Sequence, residues 1–185
     1  RGLGDVYKRQ EGIEAARKPD ADTGLNLPDF RAGERTFQLL SQVSGRPGRG
    51  TPGGLAIIQT YCPEHYAIQA AARHDYQSFY EQEIAYRRQL GNPPFSHLAR
   101  LVYSHTNNAI CQREAERMRQ VLIQQRDSRG IDGLSLIGPA PAFIQRRRGR
   151  FRWQIILRGA ELSPFLATIP FPPGWSIDVD PVSTI

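Results

Sequence analysis

Gln42, Gly45, Arg46 and Arg49 stand at the spacing Q-x-x-G-R-x-x-R, inside the run Gln42-Val43-Ser44-Gly45-Arg46-Pro47-Gly48-Arg49-Gly50. On a helix, Gln42, Arg46 and Arg49 fall at i, i+4 and i+7 and share one face. Two guanidinium forks on one face can meet a polyphosphate, because each fork offers paired donors and stays charged. In phosphoryl transfer such an arginine finger stabilises the charge of the transferring group. The spacing therefore reads as a nucleoside-triphosphate sensor, with Arg46 and Arg49 in the catalytic role and Gln42, Gly45, Arg46 and Arg49 around the nucleotide. A second reading competes with it: a Gly/Pro-rich surface loop that runs on through Thr51-Pro52-Gly53-Gly54, its arginines solvated.

A second concentration of chemistry lies at Arg146, Arg147, Arg148, Arg150 and Arg152, which precede or alternate with Phe151 and Trp153. Along a strand, side chains alternate faces, so Arg150, Arg152 and Gln154 point one way and Phe151, Trp153 and Ile155 the other. The aromatics then feed a core, and the arginines form an exposed ribbon that can touch phosphates without reading bases. The competing reading is a solvated hairpin edge whose charges block strand pairing. Other candidates are weaker. Cys62 and Cys111 are too far apart in sequence for a disulfide framework or a four-ligand zinc site, so no metal ligand is assigned. His65, His74, His97 and His105 read as structural or surface residues. Asp20, Asp22 and Asp29 read as turn and cap residues in Gly/Pro/Asn-rich surroundings.

Composition narrows the partner. The 185 residues carry a formal net charge of +6, and only Lys8 and Lys18 among the 24 basic residues are lysines. An anionic partner is favoured, nucleic acid first. A 39% hydrophobic content suffices for a modest core in one or two small domains. No apolar run approaches the ~20 residues of a membrane span and nothing resembles a signal peptide, so no membrane partner is expected.

Around the first motif stand Asp20-Ala21-Asp22-Thr23-Gly24-Leu25-Asn26-Leu27-Pro28-Asp29-Phe30-Arg31-Ala32-Gly33-Glu34-Arg35 and Ile57-Ile58-Gln59-Thr60-Tyr61-Cys62-Pro63-Glu64-His65. Further on come His74-Asp75-Tyr76, Pro93-Pro94-Phe95, Gly138-Pro139-Ala140-Pro141, Gly149-Arg150-Phe151-Arg152-Trp153-Gln154 and Asp178-Val179-Asp180-Pro181. Together these strings resemble the primosomal protein N′ family of bacterial replication-restart DNA helicases, from about Asp20 onward. The resemblance implies a C-terminal fragment of an ATP-dependent 3′-to-5′ DNA helicase of superfamily 2, which restarts stalled forks and initiates primosome assembly in the cytoplasm. It implies ATP and magnesium at a site that the Q-x-x-G-R-x-x-R residues complete from the second RecA-like lobe. It also implies zinc upstream of this fragment, with DNA (replication forks and single strands), single-strand-binding protein and other primosome proteins as partners. No phosphate-cradling G-x-x-x-x-G-K-[ST] loop is present, so the fragment alone is not expected to hydrolyse ATP. The rival is a non-enzymatic nucleic-acid-binding module.

The sequence departs from the family in three places. Residues 1–10 look like a translated sequencing-adapter string, and residues 11–19 replace a hydrophobic strand with Glu14, Arg17, Lys18 and Pro19, so order is expected to be poor before Asp20. Pro47 stands where alanine is usual and should stop or kink a helix at Arg46, leaving Arg46 better placed than Arg49. Asn92 replaces an aromatic or aliphatic residue.

The elements that must position these residues follow from periodicity. Asp29 caps a helix from Phe30 in which Phe37, Leu40 and Val43 share a face. Leu55–Thr60 reads as a buried strand, completing, at residues 20–62, the end of a RecA-like α/β lobe. Residues 63–92 read as a helical connector, with Ile68, Ala71 and Ala72 apolar, Asp75 a cap, and Tyr76, Phe79, Tyr80 and Ile84 a packed stripe. Residues 93–185 read as an α+β domain: a strand over Phe95–His105, a helix from Asn107 or Asn108 with Cys111, Ala115, Met118 and Leu122 on one face, strands at Leu134–Ile137 and Phe151–Leu157, a helix at Leu162–Ile169 and a strand at Trp175–Val179. That order predicts a split-βαβ sandwich. The family resemblance makes it like ribosomal protein S10.

Overall fold

The structure is a computed structural model that describes residues 21–44 and 57–185. Gly45, Arg46, Pro47 and Arg49, together with residues 1–20, lie outside the described residues. The chain divides into two compact units, Arg1–Tyr86 and Arg87–Ile185.

Among the described residues the first unit is helical. It holds α1 (Ala21–Leu25), α2 (Ala32–Ser44), α3 (Tyr66–Ala72) and most of α4 (Tyr76–Leu90). Helix α2 begins at Ala32, two residues after the expected Phe30, and Asp29 turns the chain just ahead of it: its Oδ1 accepts from the Arg31 amide at 2.9 Å and its Oδ2 from Arg35 Nη1 at 3.1 Å. Phe37, Leu40 and Val43 are buried along one face. Phe37 stacks on Phe79 at 4.2 Å between centroids, and Ala67, Ile68, Ala70 and Ala71 close the core around them. Gly33 is required where α2 passes the Tyr66–Glu83 hydrogen bond of 2.6 Å. A β-carbon there would sit 2.6 Å from the Tyr66 hydroxyl.

Four further expectations are corrected in this unit. Ala21–Leu25 is a short helix rather than loop. Of the strand expected at Leu55–Thr60, Ile57–Thr60 is irregular and Ile57 is 62% exposed. An extended segment needs a ladder partner, and the described residues of this unit contain no strand. Helix α3 begins at Tyr66 rather than Pro63, because His65 is the cap: its Nδ1 accepts from the Ala67 amide at 3.2 Å. Finally, only Phe79 of the aromatic stripe is buried, while Tyr76 is 63% and Tyr80 47% exposed. Helical spacing shows that the rings share a side of the helix but not that anything covers it.

In the second unit, β1 (His97–His105), α5 (Asn108–Ser128), β2 (Ser135–Arg147), β3 (Arg150–Gly159), α6 (Leu162–Ala167) and β4 (Trp175–Val179) build one antiparallel sheet in the order β2-β3-β1-β4. The parallel pairs β1/β2 and β3/β4 each have a third strand between them, the split-βαβ arrangement expected from the element order. Both helices pack on one face. Ala99, Leu101, Ile155 and Leu157 meet Met118, Leu122, Leu162, Phe165 and Leu166 there. Each fully buried aliphatic side chain contributes about 1.5–3 kcal/mol. Asn107 caps α5 by accepting from the Ala109 and Ile110 amides at 2.9 and 3.2 Å.

The opposite face of β1 is buried as well, at Leu98, Arg100 and Val102. Arg100 donates to the Gln154 side chain at 3.2 Å and to the Ile185 carbonyl at 2.9 Å, so the last residues lie against this face. Strand β2 is much longer than the expected Leu134–Ile137, running on through Gly138-Pro139-Ala140-Pro141 to Arg147. As an edge strand it tolerates prolines, which lack only the amide that would face away from the ladder. Helix α6 ends two residues before the expected Ile169, which is nevertheless buried.

Candidate nucleic-acid interface

Strands β2 and β3 form a hairpin whose two-residue turn is Arg148-Gly149. Both turn residues have positive φ, 49° and 77°. That geometry is the type I′ turn, whose twist matches the flanking strands. Glycine adopts it without a steric cost, whereas arginine bears about 1–2 kcal/mol, so Arg148 is held at the tip by the pairing on either side. Arg147 pairs with Arg150 and Arg146 with Phe151 across the ladder.

Directly paired residues share a face, and this sorts the arginines. Arg147, Arg150 and Arg152 lie on the face away from the helices, as the alternation from Arg150 to Gln154 indicated. Arg146 does not join them: it lies on the face of Phe151, with its guanidinium 5.1 Å from that ring. The five arginines are therefore not one ribbon but three on one face, one at the tip and one behind. Phe151 and Trp153 are half-buried and Ile155 is fully buried, so the aromatic side of β3 does feed the core. Trp153 Nε1 donates to Asn108 Oδ1 at 3.0 Å, fixing the ring against the start of α5.

Two of the arginines are braced. Arg150 Nη2 donates to the Ser104 carbonyl at 2.9 Å and Arg152 Nη1 to the Ile144 carbonyl at 3.4 Å. A guanidinium has five N–H donors, so one carbonyl bond orients each fork and leaves the others for phosphate oxygens. Among the described residues no carboxylate pairs with Arg146, Arg147, Arg148, Arg150 or Arg152. The sequence around them explains why: residues 133–160 contain six arginines and no aspartate or glutamate. The sixth, Arg158, has the same facing as Arg150 and Arg152 but is half-buried and donates to the Leu90 carbonyl. Arg158 and Arg100 were not among the candidate arginines, although alternation along β3 and β1 gives their side of the sheet. Both are engaged within the fold.

Arg117 on α5, by contrast, is paired with a carboxylate. Glu114 receives both Arg117 Nε and Nη2, at 2.8 and 2.7 Å, and Trp175 Nε1 at 3.1 Å. The Arg117 hydrogen bonds, and then that of Trp175, hold the Glu114 carboxyl below its ordinary range against the opposing effect of burial. Cys111 is fully buried, and burial pushes its thiol up. The four histidines are structural or surface groups: His65 and His105 accept backbone amides, His74 ends α3 at φ 53°, and His97 meets Asp180 at 2.8 Å.

Of the first motif only Gln42 is described; it is exposed in the last turn of α2. Gly45, Arg46 and Arg49 lie outside the described residues. One residue that sequence reasoning treated as a turn former stands at the base of the segment between α2 and α3. Asp22 is buried, its Oδ1 accepting from the Thr60 hydroxyl at 2.6 Å and its Oδ2 from the Tyr61 amide at 2.9 Å. It ties α1 to the residues that follow the motif. Among the described residues no group of three or more His, Cys, Asp or Glu could hold a metal ion. No described helix is long and apolar enough to cross a membrane.

Fold and hairpin together define a small α+β domain with a basic, uncompensated arm. The family model described as the primosomal protein N C-terminal domain matches residues 88–182. Relatives agree. The chain is 44% identical over 138 residues to the replication restart protein PriA of Bacillus subtilis, covering 75% of this chain and 17% of that protein. It is 38% identical to proteins of the same name from Synechocystis and Treponema pallidum, over 88% and 89% of this chain and 20% and 26% of theirs. The chain belongs to the primosomal protein N family, as the sequence resemblance anticipated, and spans 17–26% of the length of these relatives.

Proposed function

We propose that this chain is the C-terminal part of an ATP-dependent 3′-to-5′ DNA helicase that restarts stalled replication forks and initiates primosome assembly in the bacterial cytoplasm. In this reading the β2–β3 hairpin is its grip on the DNA backbone. The observation that carries it is the hairpin itself: Arg147, Arg148, Arg150 and Arg152 project without carboxylate partners among the described residues, from a fold whose relatives bear the name replication restart protein. Phosphate contacts of this kind fix register and orientation without reading sequence. That suits a protein recruited to a fork by its shape.

The first unit then belongs to the second RecA-like lobe. Gln42, Gly45, Arg46 and Arg49 complete a site for ATP and magnesium whose phosphate-binding loop is contributed by the rest of the protein. Zinc belongs to the rest of the protein as well. The second unit is kin to ribosomal protein S10, a reading that its split-βαβ order supports. Single-strand-binding protein and other primosome proteins are the expected partners beside fork and single-stranded DNA. The similarity to full-length restart proteins favours this reading over a free-standing nucleic-acid-binding module.

The test is a graft. Residues 21–185 replace the corresponding part of the Bacillus subtilis relative, and fork-stimulated ATP hydrolysis is measured with and without Arg46→Ala and Arg49→Ala. The reading expects the unaltered graft to hydrolyse ATP, with Arg46→Ala lowering kcat at least about 10³-fold as for an arginine finger. Wild-type turnover in both variants would defeat the nucleotide assignment.

A further inference from the structure

Between the pairs Pro141–Trp153 and Arg146–Phe151 the β2–β3 register shifts, so that Ala142, Phe143, Ile144 and Gln145 stand opposite Arg152 alone. Such a bulge leaves residues unpaired and re-aims side chains. Ala142 is buried at its base, while Phe143 and Ile144 are 53% and 52% exposed. Neighbouring residues of an extended chain point to opposite sides, so exposure of both means that neither side of the bulge is covered. The bulge is braced from behind by Arg152, which donates to the Ile144 carbonyl at 3.4 Å. A ring and a branched aliphatic chain thus stand in water on the same arm as Arg146, Arg147, Arg148 and Arg150.

We propose that Phe143 and Ile144 form an apolar wedge that stacks on the terminal base pair where duplex gives way to single strands, while the hairpin arginines hold the flanking phosphates. This rests on the DNA-binding reading and names the feature of the fork that the arm contacts. Charge selects the occupant. The wedge is embedded in residues 133–160, which carry six arginines and no acid, so a polyanion with exposed apolar faces complements it. Nucleic-acid bases provide such faces, and apolar side chains serve elsewhere as wedges between base steps. The junction is the favoured place because the terminal pair already has one open face. Capping it needs no unstacking, whereas entry into continuous duplex breaks a stacked step.

The experiment compares a forked DNA with a blunt duplex of equal length, using the 185-residue chain, its Phe143→Ala/Ile144→Ser variant and its Phe143→Trp variant. The double variant is expected to lose at least about fivefold in fork affinity. Its duplex affinity, its salt dependence and its urea midpoint stay at wild-type values, because both side chains are already exposed. Phe143→Trp retains fork affinity, and its added indole emission is quenched by the fork but not by the duplex. Equal losses on both substrates, or no loss on either, overturn the wedge; the second result assigns the patch to a protein partner instead. Arginine variants carry the opposite signature, weakening both substrates and flattening the salt dependence. If the wild-type chain binds neither DNA, the DNA-binding reading itself fails and the wedge falls with it.

Discussion

Asp22→Ala removes a side chain that joins α1 to residues 60 and 61, on the far side of the segment carrying the arginine motif. Its two oxygens accept hydrogen bonds of 2.6 and 2.9 Å from Thr60 and Tyr61. A hydrogen bond to a charged group is worth about 1.5–3 kcal/mol, and loss is costliest when the abandoned donor stays dry. Here the donors rehydrate, since Tyr61 is 91% exposed. The low end therefore applies, about 2–3 kcal/mol for the pair. Asp22→Asn keeps one carbonyl acceptor and should lose about half as much. The assay is amide hydrogen exchange at Tyr61, which reports opening of this tether separately from unfolding of the second unit. Exchange is expected to accelerate about 30- to 150-fold in Asp22→Ala. An unchanged Tyr61 rate, or equal effects of Ala and Asn, would refute the tether and return Asp22 to the role of a turn residue.

Other outcomes follow from the same structure. Leu122→Ala, in the fully buried face of α5, should cost about 3 kcal/mol by leaving a cavity and lower the Tm of the second unit by more than about 10 °C in calorimetry. Burial holds the His65 pKa below its ordinary 6.5, with Glu83 opposing, so the folded state binds fewer protons than the unfolded chain. Its contribution is complete above pH 6.5 and is lost as pH falls through the lowered folded value; His65→Asn keeps a capping oxygen and should flatten that loss in urea titrations at several pH values. Cys62 is exposed and Cys111 buried with a raised pKa, so a thiol reagent should modify one cysteine rapidly and the second only on unfolding.

What could be read from the chain alone depended on whether a residue's environment is local. The Cys111, Ala115, Met118 and Leu122 stripe was legible because it fills its own period on one covered face. The alternation of Arg150 and Arg152 against Phe151 and Trp153 was legible for the same reason. Arg146 was not, because its side of the sheet is set by where the hairpin turns: the two-residue turn at Arg148-Gly149 puts Arg146 opposite Phe151. The strand expected to end at Ile137 runs on through Gly138–Pro141, because an edge strand tolerates prolines. Tyr76 and Tyr80 were misjudged because a stripe does not say what lies against it. Asp22 makes its bonds 38 and 39 residues away, beyond any local pattern. For the candidate interface, sequence supplied the arginines, and the structure supplied their distribution and the exposed Phe143 and Ile144.

The DNA-binding reading is tested most directly by fork affinity measured from 50 to 200 mM salt for the wild-type chain and for Arg148→Ala/Arg150→Ala/Arg152→Ala. Each lost phosphate contact should reduce the slope of log K against log salt by about 0.9 on duplex or 0.7 on single strands. The triple variant is expected to bind more weakly at low salt and to show a slope shallower by about 2–3. An unchanged affinity and slope in a folded triple variant would contradict the account.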